Sequence, residues 1–117
     1  MPQFNDNIRR LATQNTDFRR EILTNEHSQL VLMSIEPGDE IGEETHDVDQ
    51  LLAFVGGEGE AVLDGKKSRV EEGSLVAVPA GTRHKGRGAR RRAPLAVVVP
   101  DPFAAADCIM RTEGDET

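Results

Sequence analysis

The stretch Glu44-Thr45-His46-Asp47-Val48-Asp49-Gln50 decides how this chain is read. It places four groups able to face a metal or a substrate within seven residues. Glu44 and His46 are separated by one residue, and in an extended strand that spacing puts both side chains on one face. Gln50 follows at the same parity after a short acidic turn. A second histidine, His84, comes 34 residues after Gln50, in Pro79-Ala80-Gly81-Thr82-Arg83-His84. Glu44, His46, Gln50 and His84 are expected to meet inside a β-barrel and hold one divalent metal.

Working outward, strand signals bounded by turns surround this stretch. Before it, Gln29-Leu30-Val31-Leu32-Met33-Ser34-Ile35-Glu36 reads as a strand that is apolar on both faces in its middle. One-sided burial gives cleaner alternation, so this strand is expected to be covered on both sides, by a barrel interior and by a partner sheet or subunit. Pro37-Gly38-Asp39-Glu40 reads as a turn and Ile41 to His46 as extended. After it come Leu51 to Val55, a Gly-rich turn, and Glu60 to Leu63. Asp64-Gly65 is a two-residue hairpin signal, leading to Lys66 to Val70, Ser74 to Val78, Arg83 to Gly88 and Leu95 to Val99. Phe18 to Leu23 makes a first strand. Helix is expected only at the ends, over residues 5–16 with Asn5 or Asp6 as N-cap, and over Phe103 to Met110. Seven to nine short strands at 8–12-residue spacing argue an antiparallel sandwich or barrel. The division is an N-terminal arm at 1–17, a barrel at 18–100 and a tail at 101–117.

The bulk numbers agree. A chain of 117 residues fits one domain. With 37% hydrophobic residues and only 11 Gly and 6 Pro, it is neither disordered nor of low complexity. There is no Trp or Tyr, so the core must be aliphatic with a few Phe. No apolar run approaches the roughly 18 residues a membrane span needs, and polar residues crowd positions 3 to 10 where a signal peptide would be apolar. A cytoplasmic location without membrane contact is the expectation. The single Cys108 excludes an internal disulfide and reads as a spare thiol. The net charge of −7 argues against nucleic-acid binding. The local run Arg83, Lys85, Arg87, Arg90, Arg91, Arg92 is the exception. It reads as a solvated basic loop, or as a subunit contact or a rim that guides anions.

The two histidine segments resemble the two motifs of the cupin superfamily. Gly38, five residues, Glu44-Thr45-His46, three residues, Gln50, six residues and Gly57 follow the form G-x5-H-x-H-x3,4-E-x6-G. Gly73, five residues, Pro79-Ala80-Gly81, two residues and His84 follow G-x5-P-x-G-x2-H-x3-N, with Gly88 at the closing Asn. The resemblance spans about Phe18 to Val99 and implies an all-β double-stranded β-helix, a jelly-roll barrel. Glu44 stands at the first His of the pattern and Gln50 at its Glu. In this the chain looks like the small single-domain barrels labelled mannose-6-phosphate-isomerase-like, a label that reports fold more than activity.

The resemblance implies metal ligands at Glu44, His46, Gln50 and His84, with Gln50 binding through its carbonyl oxygen or leaving its place to water. Two imidazoles and a carboxylate suit Fe(II), Mn(II), Ni(II) or Zn(II). One anionic ligand leaves a formal +1 on a divalent ion, which favours an anionic small-molecule substrate. Glu44 is the candidate catalytic base. Met33, Ile35, Leu52 and Phe54 are expected as apolar pocket walls. If His84 points inward, Gly86 and Gly88 follow it by strand parity and should widen the pocket. His27 lies at a turn, outside any motif, and reads as a surface residue. A homodimeric metal enzyme of dioxygenase, isomerase, epimerase or lyase type is the leading expectation. A noncatalytic sugar- or metabolite-binding module and a structural or storage barrel are the alternatives.

Overall fold

Alternation along Gln29–Ile35 sets the architecture. Gln29, Val31, Met33 and Ile35 point to one side, Leu30 and Leu32 to the other, and both sides are covered in the middle of the strand. The computed structural model describes residues 3–89 and 91–100. The expected C-terminal helix, Cys108 and Arg90 lie outside the described residues. A short helix α1 (Ile8–Gln14) comes first, followed by nine strands: β1 (Arg19–Asn25), β2 (Ser28–Ile35), β3 (Glu40–Glu44), β4 (Gln50–Phe54), β5 (Glu58–Leu63), β6 (Lys66–Glu71), β7 (Leu75–Val78), β8 (His84–Gly88) and β9 (Ala93–Pro100). They form two sheets, ordered β1-β2-β9-β4-β7 and β3-β8-β5-β6, with antiparallel pairing throughout the named strands. This is the all-β jelly-roll barrel that the motif spacing implies.

The inward residues of the larger sheet, Val31, Ile35, Phe54, Leu95, Val97 and Val99, pack against Ala61 and Val70 of the smaller one. Burying a Val, Leu or Ile side chain is worth about 1.5–3 kcal/mol each, so this one layer supplies most of the drive to close the barrel. A second cluster sits on the outer face of the larger sheet. Ala12, Leu32 and Ala96 are buried there, with Ile8, Leu11 and Val55 packed against them. The cover on the second face of β2 is therefore in part the chain's own helix.

The expected helix over 5–16 is shorter than its pattern. Asn7, not Asn5 or Asp6, is the N-cap, its side chain accepting from the Arg10 amide at 2.8 Å. A helix of seven residues has no independent stability, and Arg92 anchors its far end. The Arg92 guanidinium donates to the Thr13 carbonyl at 2.7 Å, the Asn15 carbonyl at 2.8 Å and Ser34 Oγ at 2.9 Å. This member of the basic run thus satisfies helix C-terminal carbonyls. Strand β9 also begins earlier than the Leu95 expected, because Pro94 is accommodated inside it. Pro94 lacks a donor, but its carbonyl still accepts from the Val55 amide at 3.0 Å.

Candidate metal centre

Strand β8 lies between β3 and β5, and His84 opens it directly across from Glu44 on one side and Leu63 on the other. The pairing of β3 with β8 slips by one residue between Ile41 and Glu44: Ile41 faces Gly86, but Glu44 faces His84. Unbroken pleating would put Ile41 and Glu44 on opposite faces. The extra residue, beside Gly42, is a bulge that lets both face the barrel interior. The chain then leaves β3, and His46 turns into the same space.

There the ligand atoms of Glu44, His46 and His84 all lie within 4.8 Å of one another. His46 Nε2 is 2.6 Å from Glu44 Oε1. The two imidazole centroids are 5.0 Å apart with an interplanar angle of 51°. Exposure is 4% for His46 and 7% for His84, and 10% for the Glu44 side chain. His84 Nδ1 is 3.1 Å from the Thr82 carbonyl. A carbonyl only accepts, so Nδ1 carries the proton and Nε2 keeps its lone pair for a ligand role. Burial pushes the His84 imidazole below its ordinary value, with His46 adding to that shift and the Thr82 bond and Glu44 opposing it. A neutral imidazole with a fixed tautomer is the form a cation needs.

The donor set fits a divalent ion. Donors at about 2.1 Å from one centre stand about 3.0 Å apart when adjacent and about 4.2 Å when opposite. The observed spread reaches that range with small side-chain adjustments. His46 Nδ1 is buried with no hydrogen-bond partner among the described residues. Among the described residues the polar contact on the ring is therefore through Nε2.

The backbone ties the two sequence motifs into one unit. The Gly81 amide donates to the His46 carbonyl at 2.8 Å, and the Ala80 amide donates to Asp49 Oδ1 at 2.9 Å. Pro79 to Thr82 closes as a turn, Thr82 N to Pro79 O at 3.1 Å, with Gly81 at φ +85°. Glycine is suited to that third position of a type II turn. On the far side, Arg83 and Asp64 exchange two bonds, Asp64 N to Arg83 O at 2.7 Å and Arg83 N to Asp64 Oδ1 at 3.0 Å. His84 is thus held by the residues on both sides of it.

The triad lines a cavity of about 80 Å³ inside the barrel. Gln50, Met33, Ile35, Leu52, Phe54 and Gly86 are in its wall. Gly88 is outside that wall. A Cβ there would stand 2.4 Å from the Glu36 carbonyl oxygen, so this glycine admits a neighbouring backbone and does not widen the pocket. Gly86 has ordinary room, with a Cβ 3.6 Å from Ile41 Cδ1. His27 is well exposed, at a turn. Lys85 and Arg87 alternate outward and are exposed.

Three residues of the site were not singled out by sequence reasoning. Asp49 looked like part of a solvated acidic loop but holds the second motif. Thr82 contributes through a backbone carbonyl, which no side-chain pattern can reveal. Gln29 is a buried cavity-wall residue whose Nε2 donates to Thr24 Oγ1 at 2.9 Å. Its inward parity with Val31, Met33 and Ile35 was the available signal.

Comparison with known proteins agrees with the fold. Residues 31–99 match the family model described as the cupin domain. The chain is 39% identical over 85 residues to the uncharacterised protein YrkC of Bacillus subtilis, an alignment covering 67% of this chain and 46% of YrkC. It is 40% identical over 84 residues to the uncharacterised protein L612 of Acanthamoeba polyphaga mimivirus, covering 68% of this chain and 52% of L612. The alignments thus span about half the length of these curated relatives. The solved structure of BH2720 from Bacillus halodurans superposes with a TM-score of 0.84 at 31% identity, covering 86% of this chain and 83% of that one. A two-sheet barrel, two motifs that converge on one buried triad, and a domain match over most of the barrel make this chain a member of the cupin family.

Proposed function

We propose that this cupin is a metal-dependent enzyme acting on a small anionic molecule, with Glu44, His46 and His84 holding one divalent ion of Fe, Mn, Ni or Zn. The observation that carries the reading is the convergence of one carboxylate and two imidazoles, little exposed, at the wall of a cavity whose lining is mostly apolar. Bringing three such groups out of water side by side is costly, and a cation shared among them would offset that cost. When bound, the ion would supply Lewis-acid polarisation of an oxygen ligand or a site for O2.

The chain's own residues define what the ligand must be. One carboxylate against a divalent ion leaves a net positive centre, which selects an anionic oxygen. Val31, Met33, Leu52 and Phe54 exclude water and select an apolar body. Gln50, at the start of β4 and in the cavity wall, is the residue that orients the ligand through its amide or lends its carbonyl oxygen to the ion. Glu44 is the carboxylate placed to accept a proton from a bound molecule. These features are shared by dioxygenase, lyase and isomerase chemistry, and the mannose-6-phosphate-isomerase-like resemblance bears on the fold and not on that choice. A collapsed storage barrel is disfavoured by the cavity itself. A noncatalytic binding module is the second reading, favoured by the largely aliphatic wall.

Elemental analysis tests the proposal. The wild type, purified without chelator and loaded with each candidate metal, should hold close to one ion per chain. His46→Ala and His84→Ala should each hold less than about a tenth of that. A folded wild type that retains no stoichiometric metal after loading would refute the metal reading and leave the binding module.

A further inference from the structure

Two glutamines of the larger sheet share one rung of the cavity wall. Gln29 pairs with Val99 on β9, and Leu51 of β4 pairs with Val98. Antiparallel pairing sets Gln50 level with Val99, so Gln29 and Gln50 stand two strands apart, about 10 Å between backbones. Both are in the cavity wall. Gln50 already has a part in the reading above, and Gln29 has none. Gln29 is 2% exposed, and its Oε1 is buried with no hydrogen-bond partner among the described residues. A buried acceptor left unpaired is costly, so the atom calls for a donor.

Neighbouring groups fix which way that amide points. Thr24 Oγ1 is 2.5 Å from Glu21 Oε2 and 2.9 Å from Gln29 Nε2. A carboxylate oxygen only accepts, so the one hydroxyl proton of Thr24 goes to Glu21. The Thr24 oxygen must then accept from Gln29, which only the NH2 side of the amide can supply. Gln29 is thereby held with its nitrogen toward β1 and its oxygen on the other branch. Thr24 is outside the cavity wall, so the branch turned from Thr24 is the one left for the cavity. The cavity is offered an acceptor and not a donor, and the exposed Glu21 carboxylate at the far end of the chain of bonds strengthens it.

We propose that Gln29 Oε1 is a ligand subsite that accepts a hydrogen bond from a hydroxyl of the bound molecule, which makes that molecule a small hydroxy acid. This rests on the anionic ligand proposed above and adds the second group that ligand must carry. Its acid oxygen belongs at the triad and its hydroxyl at Gln29. Val31, Leu52 and Val97 line the same cavity and offer neither group a partner. An ammonium in place of the hydroxyl would bring a charge and three donors to one acceptor among apolar neighbours. A hydroxyl brings the single donor the site can use. An acid lacking it would fill the cavity and leave the amide oxygen unpaired, which is the basis of the discrimination.

Titration calorimetry of the full chain, zinc-loaded and with its metal content measured, compares 3-hydroxypropionate with propionate and 4-hydroxybutyrate with butyrate. At least one hydroxy acid should bind about 10-fold or more tighter than its partner. Gln29→Met keeps the length of the side chain and removes the acceptor. It should retain the metal content of the wild type and bind the two acids of each pair within about 2-fold of each other. Thr24→Val frees the amide to turn and should lower the preference at least about 3-fold. It decides the matter if Gln29→Met does not fold by circular dichroism. The ratio within a pair does not involve the ion. A chain that holds no zinc therefore defeats the metal reading alone, and the same pairs titrated on the metal-free chain by NMR then read the preference. A wild type with no preference in either pair overturns the inference, and would mean that water satisfies the amide oxygen. A preference unmoved by the deciding variant overturns it equally, by placing the hydroxyl elsewhere.

Discussion

Replacing Gly88 with alanine should cripple the fold, while the same change two residues earlier, at Gly86, should not. Both glycines lie on β8 with His84 and share its parity. At Gly88 a Cβ would approach the Glu36 oxygen to 2.4 Å, the Glu36 carbonyl carbon to 3.0 Å and the Ile35 oxygen to 3.3 Å. All three are backbone atoms, and no rotamer change relieves them. Withdrawal of either segment is opposed by the bonds from Gly88 N to Asp39 O at 3.0 Å and from Ala89 N to Glu58 O at 3.1 Å. Overpacking of this kind costs about 2–3 kcal/mol. For a domain of this size that lowers Tm by roughly 10–20 °C. At Gly86 the nearest atoms would be 3.6 and 3.8 Å away, ordinary contact distances. Alanine there also gains about 0.5–1 kcal/mol of backbone entropy over glycine. Gly86→Ala should therefore match or slightly exceed the wild type in stability and keep its metal, while its methyl takes room from a cavity of about 80 Å³. Urea denaturation and thermal melts of the two variants, with metal content measured in parallel, check this. Equal stability of the two, or a greater loss at Gly86, would mean that β8 does not run in the register described.

Three further outcomes follow from the site and its supports. Asp49→Ala removes the acceptor for the Ala80 amide and should cost about 1 kcal/mol of stability. Because that bond holds the turn carrying His84, it should also weaken metal affinity by about 3–10-fold, read by competition with a chelating dye. Arg92→Ala leaves the Thr13 and Asn15 carbonyls without their donor and should lower stability by about 1–3 kcal/mol without changing metal stoichiometry. The third is a pH dependence of the metal-free protein. His84 takes up a proton less readily folded than unfolded, mainly because of burial. The unfolded chain then binds the extra proton as pH falls below the ordinary histidine value of 6.5. This contribution is complete above that value and is lost on acidification, with a slope of at most about 1.4 kcal/mol per pH unit. The difference between unfolding curves of the wild type and His84→Gln isolates it. A difference flat from pH 7 to 5 would refute the shift.

Much of this was readable from spacing. A strand period of two and turn residues at regular intervals give the barrel, and two motifs in the same chain give Glu44, His46 and His84. What spacing could not give are effects that depend on which backbone passes nearby. Parity grouped Gly86 with Gly88, but only the path of residues 35–36 separates their roles. Strict alternation would have sent Glu44 away from the face of Ile41, and the one-residue slip beside Gly42 reverses that. Arg92 sat in a run of six cations that read as a surface patch, and only the docked helix turns it into a cap. Leu30 and Leu32 were rightly read as covered on a second face, but the cover on Leu32 comes from residues 8–12, within the same chain. The Thr82 carbonyl and the Asp49 contact join positions far apart in sequence or act through the main chain, where residue identity carries little information.

The docked helix also governs what happens when the fold breathes. It is too short to persist once detached, and its anchorage rests on the Arg92 guanidinium, an exposed Arg9–Glu72 ion pair and a few aliphatic contacts. Local opening there would cost less than global unfolding. It would uncover Leu32 and Ala96 on the outer face of the larger sheet, which already exposes Leu51, Leu75 and Val98. The metal donors, on other elements and facing inward, would be undisturbed. A chain cleaved or mutated within its first 17 residues should then keep its ion and lose its solubility. The helix would thus guard against aggregation, and damage to it would be seen as precipitation well before any change at the candidate metal centre.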